Sequence, residues 1–174
     1  MKRYVDIQRL KDKYAMAFTE GEHIVCQEKL DGSNSQILFD SETGTLKAFS
    51  RRNELTSEST LQGFWDFVQT LDAKSFGSIL GDRYIIFGEW LVRHTIRYPE
   101  DKMRQFYVFD VWDTVTEEYL PWERTFKDFV LPLGLKTVPV FYDGKFTTWD
   151  EVTKFVGKTE MGGEPTGEGI VVKS

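Results

Sequence analysis

Cysteine is nearly absent: Cys26 is the only one in 174 residues. No internal disulfide can form, so a reducing cytoplasm is the expected setting. No apolar run approaches the roughly 20 residues that a membrane helix needs, so no membrane partner is expected. The opening stretch MKRYVDIQRLKDKY is charged and lacks the apolar core of a signal peptide. A basic excess is missing too. The net charge is −6, whereas a protein that only holds nucleic acid is more often basic. Polynucleotide contact must then come from local clusters or from a part of the molecule outside this sequence. The clusters are Lys2, Arg3, Arg9, Lys11 and Lys13 near the start, and Arg93, Arg97, Lys102 and Arg104 further on. For the first group, a solvated mixed surface is an equal reading. Repeats, low-complexity tracts and linkers are also missing.

What is present is a packable chain. Hydrophobic residues make up 40% and aromatics 15%, enough for one domain over residues 1–174 with its own core. HIVCQEKL leads into a turn at DGSN; SQILFD alternates, SETG turns, and LKAFSR follows as a hairpin partner. TLQGFWDFVQTL carries Leu61, Phe64, Trp65, Phe67, Val68 and Leu71 at helical spacing, with Ser59 or Thr60 as its cap. RYIIFGEWLV and QFYVFDVW read as buried strands, and GEGIVVK as a last one. PWERTFKDFVLPLG and TTWDEVTKFVGK read as short helices ending at glycines. There is no regular βαβ rhythm, so the fold class expected is α+β on antiparallel sheet.

Several charged residues sit where strands should be buried. Lys29 stands two residues before Asp31-Gly32, at a strand-to-turn junction. It is either an ordinary turn lysine or a nucleophile whose amine is freed by desolvation or a nearby cation. Arg51 and Arg52 point to opposite faces of an extended chain, so at most one should share Lys29's side. One of them can clamp a phosphate or a nucleic-acid end. Glu89 interrupts an apolar run at a glycine and is poorly placed unless it lines a pocket or turns to solvent. One hairpin further on, Phe109-Asp110 repeats the pattern, and an aromatic at a pocket mouth can stack on a purine. Glu168 and Lys173 are five apart, so a regular strand puts them on opposite faces.

Their order carries the meaning. K-x-D-G, S-R, F-G-E, F-D and E-G-I-V-V-K follow one another from about Gln27 to the C-terminus. This series resembles that of the ATP-dependent covalent nucleotidyltransferases. The GEWLVRHT…YVFDVW block is most similar to the RNA ligase family. The resemblance implies an ATP-grasp-like adenylation domain that uses ATP and Mg2+ (or Mn2+) and acts on RNA ends in RNA repair. Lys29 would attack the α-phosphate and form lysyl-Nζ-AMP, and the AMP would pass to a 5′-phosphate. By the same resemblance Glu28 would sit beside the adenine, within the motif that Asp31 and Gly32 complete. Asn34 would lie near the 3′ end and phosphate. Arg51, with Arg52 as second choice, matches the S-R motif. Glu89 would hold the ribose, Phe109 would stack on adenine, and Asp110 would support the site. Glu168 would act near the metal, and Lys173 would contact the α-phosphate. The family's following strand, with a further basic pair, does not appear after Ser174. The expectation is a domain truncated at its C-terminal strand, lacking a C-terminal module or partner chain and sealing poorly alone. A nucleotide-binding remnant, a DNA ligase and a capping-type enzyme are the alternatives.

Overall fold

The computed structural model describes residues 2, 4, 5 and 18–174. Arg3, Arg9, Lys11 and Lys13, named above as basic contacts, lie outside them. No helix among the described residues is long and apolar enough to cross a membrane.

Two sheets form the frame. The small one is built on β1 (His23–Lys29), flanked antiparallel by β8 (Val140–Lys145) and β9 (Gly169–Lys173). The large one runs β3 (Thr45–Ser50), β2 (Ser33–Asp40), β4 (Tyr84–Trp90), β5 (Phe106–Asp113) and β6 (Glu118–Tyr119), all antiparallel. The short β7 (Lys136–Thr137) pairs parallel to β5. The α+β antiparallel class expected from the sequence is the one observed.

Period-two alternation decides which side chains enter the core. On β4, Ile86 and Trp90 go to the main core, while Phe87 and Glu89 turn to the other face. Against the core face pack α1 (Phe64–Gln69), α2 (Ala73–Leu80) and the helical run from α3 (Trp122–Arg124) through a π-helical stretch Thr125–Val130 to α4 (Leu131–Leu133). Phe64, Val68, Phe76, Leu80, Phe129 and Val130 are their buried contributions. The outer face of the small sheet closes on α5 (Trp149–Thr153) through Ile24, Cys26, Phe146 and Val152.

Two local expectations are corrected, and one helix is new. The helix around Phe64 starts late, because Leu61 and Gln62 are left-handed at φ 54° and 52°. Gly63 occupies its cap position, and neither Ser59 nor Thr60 caps it; the Thr60 hydroxyl accepts from the Gly63 amide at 3.1 Å. Helix α5 stops at Thr153, short of Gly157. Helix α2 was not anticipated, although Asp72 caps it by accepting from the Lys74 and Ser75 amides.

Candidate functional site

A cleft of about 740 Å³ lies where the two sheets face each other. From the small sheet it takes Gln27, Lys29 and Val171; from the large one, Asn34, Glu89 and Phe109, with Arg51 just beyond β3. Lys29 is the last residue of β1, directly opposite Gly169. Its side chain remains 42% exposed, and its Nζ lies 3.0 Å from Glu168 Oε1. Glu168 precedes the regular part of β9, so strand parity does not govern it.

The chain after Lys29 is fastened at each step. Leu30 is buried with Leu91, Ile96 and Tyr107. The Asp31 amide donates to the Tyr98 hydroxyl at 2.9 Å. Asp31 Oδ2 accepts from the Thr95 and Ile96 amides at 2.7 and 2.6 Å, and Oδ1 lies 2.9 Å from His94 Nδ1. Asp31 therefore builds the turn and holds the 94–96 loop. The Gly32 amide donates to Glu89 Oε2 at 2.9 Å. A Cβ at Gly32 would lie 2.5 Å from the Trp90 carbonyl, so only glycine permits this approach.

Glu89 faces the cleft across from Asn34, its cross-strand partner. Burial, resisted by the Gly32 amide, pushes its carboxyl up to about 7. Glu168 and Asp31 add to the rise, and Arg51 opposes it. Asn34 also lines the cleft, and its buried Oδ1 has no partner among the described residues.

Arg51 and Arg52 both line the cleft, against the expectation that at most one would. The chain is not extended there. Beyond β3 it bends, with the Ser50 amide donating to the Asn53 carbonyl at 2.9 Å and the Asn53 amide donating to Ser50 Oγ at 3.2 Å. Parity applies only to a straight strand.

A bulge places Phe109. The β4–β5 register shifts between Phe87 and Gly88, leaving Phe109 as the extra residue. Val108 and Val111 both reach the main core across this insertion. Phe109 opens onto the cleft, and Asp110 pairs opposite Phe87. Asp110 lies behind the cleft wall, where Lys173 Nζ approaches its Oδ1 at 3.2 Å and the Tyr4 hydroxyl donates to Oδ2 at 2.5 Å. Burial moves the Asp110 carboxyl up and the Lys173 ammonium down, each opposed by the other's charge. Lys173 also donates to the Phe109 carbonyl.

The two charged ends of the last strand thus separate. Glu168 reaches Lys29, whereas Lys173 sits opposite Val25, four positions back along β1. That is about 13 Å of strand. Glu28 also borders the cleft, although β1 alternation turns its side chain to the face opposite that of Lys29. Its carboxylate accepts from Thr159 Oγ1 at 2.7 Å and from the Glu160 and Met161 amides at 2.8 and 3.3 Å. Among the described residues, no three His, Cys, Asp or Glu side chains group as a metal site.

Several wall residues escaped the sequence reading, Gln27, Val171 and Tyr4 among them. Gln27 and Val171 could have been found by parity with Lys29 across β1 and β9. Tyr4, whose ring meets Phe109 edge-on at 4.9 Å, carries no local signal.

Solved structures share this architecture. An archaeal ATP-dependent RNA ligase is 23% identical with a TM-score of 0.74, covering 100% of this chain and 45% of its own. A Naegleria gruberi RNA ligase mutant with ATP and Mn is 20% identical with a TM-score of 0.71, covering 99% of this chain and 52% of its own. A second Naegleria gruberi mutant, with AMP and Mn, is 21% identical at TM-score 0.66, over 88% and 47%. The chain spans about half the length of these structures. A search of curated protein sequences returns no match. The family model described as RNA ligase matches residues 22–174, and the chain belongs to the RNA ligase family.

Proposed function

We propose that this domain is the adenylation domain of an ATP-dependent RNA ligase, with Lys29 as its nucleophile. One observation carries the reading: the Lys29 amine opens, 3.0 Å from Glu168, onto a cleft that Glu89, Phe109, Arg51 and Arg52 also line. The volume suits a nucleotide. The Nζ lone pair attacks the α-phosphorus, the bond to the bridging oxygen breaks, and pyrophosphate leaves. Glu168 is the acceptor nearest to the proton that Nζ sheds. The product is lysyl-Nζ-AMP, whose AMP then passes to an RNA 5′-phosphate.

The remaining residues take supporting roles. Phe109 offers an aromatic face to the base, held from behind by Lys173 and Asp110. Glu89 and Asn34 face the sugar and phosphate end. Arg51 and Arg52 supply the cleft's guanidinium groups for phosphate and for the RNA end. Glu28 anchors the 159–161 loop. Magnesium needs only one or two carboxylates besides substrate phosphates, so a lone Glu168 fits it. The cation, magnesium or manganese, would neutralise charge developing on the phosphate. With Cys26 as the only cysteine, a reducing cytoplasm is the setting in which we place its role in RNA repair. A C-terminal module or partner chain would supply further grip on RNA, as the length of the related structures suggests.

The test is a chase. Protein adenylated with labelled ATP and freed of nucleotide is offered 5′-phosphorylated RNA, 5′-phosphorylated DNA or 5′-hydroxyl RNA. AMP is expected on the phosphorylated RNA alone. Transfer to DNA only would return the reading to a DNA ligase, and failure to form any adduct with labelled ATP would leave a nucleotide-binding remnant.

A further inference from the structure

Consecutive strand residues face opposite ways, so β1 sends the Lys29 side chain into the cleft and that of Glu28 away from it. Glu28 is 1% exposed. A carboxylate buried that deeply needs donors, and those it meets belong to one turn: the Thr159 hydroxyl and the Glu160 and Met161 amides. Thr159 is itself fastened, its Oγ1 accepting from the Gly163 amide at 2.9 Å.

The turn lies in a loop that closes on itself. Thr166 Oγ1 donates to the Gly157 carbonyl at 2.7 Å. Gly167 packs on Lys158, since a Cβ at Gly167 would lie 2.4 Å from the Lys158 carbonyl. Lys158 precedes Thr159, and Glu168 follows Gly167. The backbone that Glu28 clamps is therefore braced against the backbone from which Glu168 reaches Lys29 Nζ, 3.0 Å away. A second tie runs to the other side of the nucleophile. The Arg97 and Glu164 backbones exchange hydrogen bonds at 3.1 and 2.8 Å, and Asp31 holds the Thr95 and Ile96 amides. Leu30, Ile96, Tyr98 and Met161 share one buried cluster. Side chains on both sides of Lys29 thus each fasten a loop, and the two loops fasten each other.

We propose that Glu28 is a positioning residue for adenylation: by clamping the 159–161 turn it sets Glu168 against the Lys29 amine. This rests on Lys29 being the nucleophile. Glu28 acts from the opposite face of β1 and touches no reacting atom. With the clamp intact, Glu168 stands where the proton leaves Nζ. With the clamp released, the side chains that line the cleft remain for ATP, but the carboxylate is no longer fixed beside the amine.

The test compares wild type with Glu28→Met, Glu168→Gln and the double variant. Methionine keeps the length of the side chain but cannot hold the turn. Adduct formation in a single turnover is followed by intact mass, ATP binding by calorimetry, and amide exchange by mass. Glu28→Met should slow adduct formation about tenfold or more. It should leave ATP affinity within about threefold and raise exchange at residues 159–164. In the Glu168→Gln background the same change should alter the rate by less than about twofold, because the group it positions is gone. A merely structural role would add its full loss to that of Glu168→Gln. Thr159→Val removes one bond of the clamp without touching β1 and should show the same pattern at smaller size. An unchanged adduct rate in folded Glu28→Met overturns the proposal, as does one in Thr159→Val where Glu28→Met does not fold. A fully additive loss in the double variant overturns it too, and each of these failures leaves the adenylation reading standing. Absence of any adduct on wild type overturns both.

Discussion

Replacing Glu89 with Gln tests the electrostatics of the cleft. The carboxyl is raised from its ordinary 4.5 to about 7, chiefly by burial. The groups facing it are Glu168, Arg51, Asp31 and the Gly32 amide. A carboxyl whose folded pKa exceeds its unfolded one binds more protons in the folded state between the two values. Its contribution to stability is therefore full below about 4.5 and is lost as pH rises through about 7. The interval corresponds to at most roughly 3 kcal/mol. The side chain still opens onto the cleft, which reduces the figure to about 2 kcal/mol. Glutamine keeps the shape and can still accept from Gly32, but it cannot ionise. Urea unfolding of both proteins at about pH 4 and about pH 8 isolates Glu89, because other groups cancel in the difference. Glu89→Gln should match wild type at the lower pH and exceed it by about 2 kcal/mol at the higher, while losing adenylation. Stability differences that do not change with pH would refute the reasoning.

Gly32→Ala puts a methyl carbon against the Trp90 carbonyl, 2.5 Å away in the undisturbed chain. A loss of about 1–3 kcal/mol in thermal or urea unfolding is expected, with adduct formation falling by more than about tenfold because the turn after Lys29 shifts. Asp31→Asn weakens the acceptor for the Thr95 and Ile96 amides. It should cost about 1–3 kcal/mol and raise hydrogen exchange at residues 94–96, which amide exchange measured by mass reads directly.

Alternation and turn chemistry were legible in the sequence wherever strands run straight. Lys29, Glu89 and the terminal strand fall where pattern puts them. The sequence reading failed where the backbone leaves regular geometry. The bend at 50–53 brings Arg52 in beside Arg51, and the left-handed pair Leu61-Gln62 delays the first helix. The irregular chain before Gly169 lets Glu168 reach Lys29. Long-range pairing was illegible for a different reason. Thr159, which holds Glu28, is 131 residues away in sequence, and no local pattern encodes such a contact. Gln27 was legible in principle, since the parity that points Lys29 into the cleft points Gln27 there too.

The central claim is that Lys29 is the point of covalent attachment. Wild-type protein and Lys29→Arg are incubated with ATP and magnesium, weighed intact, and digested for peptide mapping. The arginine stays protonated and is a poor nucleophile. The account predicts one AMP on wild type, located at Lys29, and none on Lys29→Arg. An AMP on any other side chain, or an adduct surviving in Lys29→Arg, would contradict it.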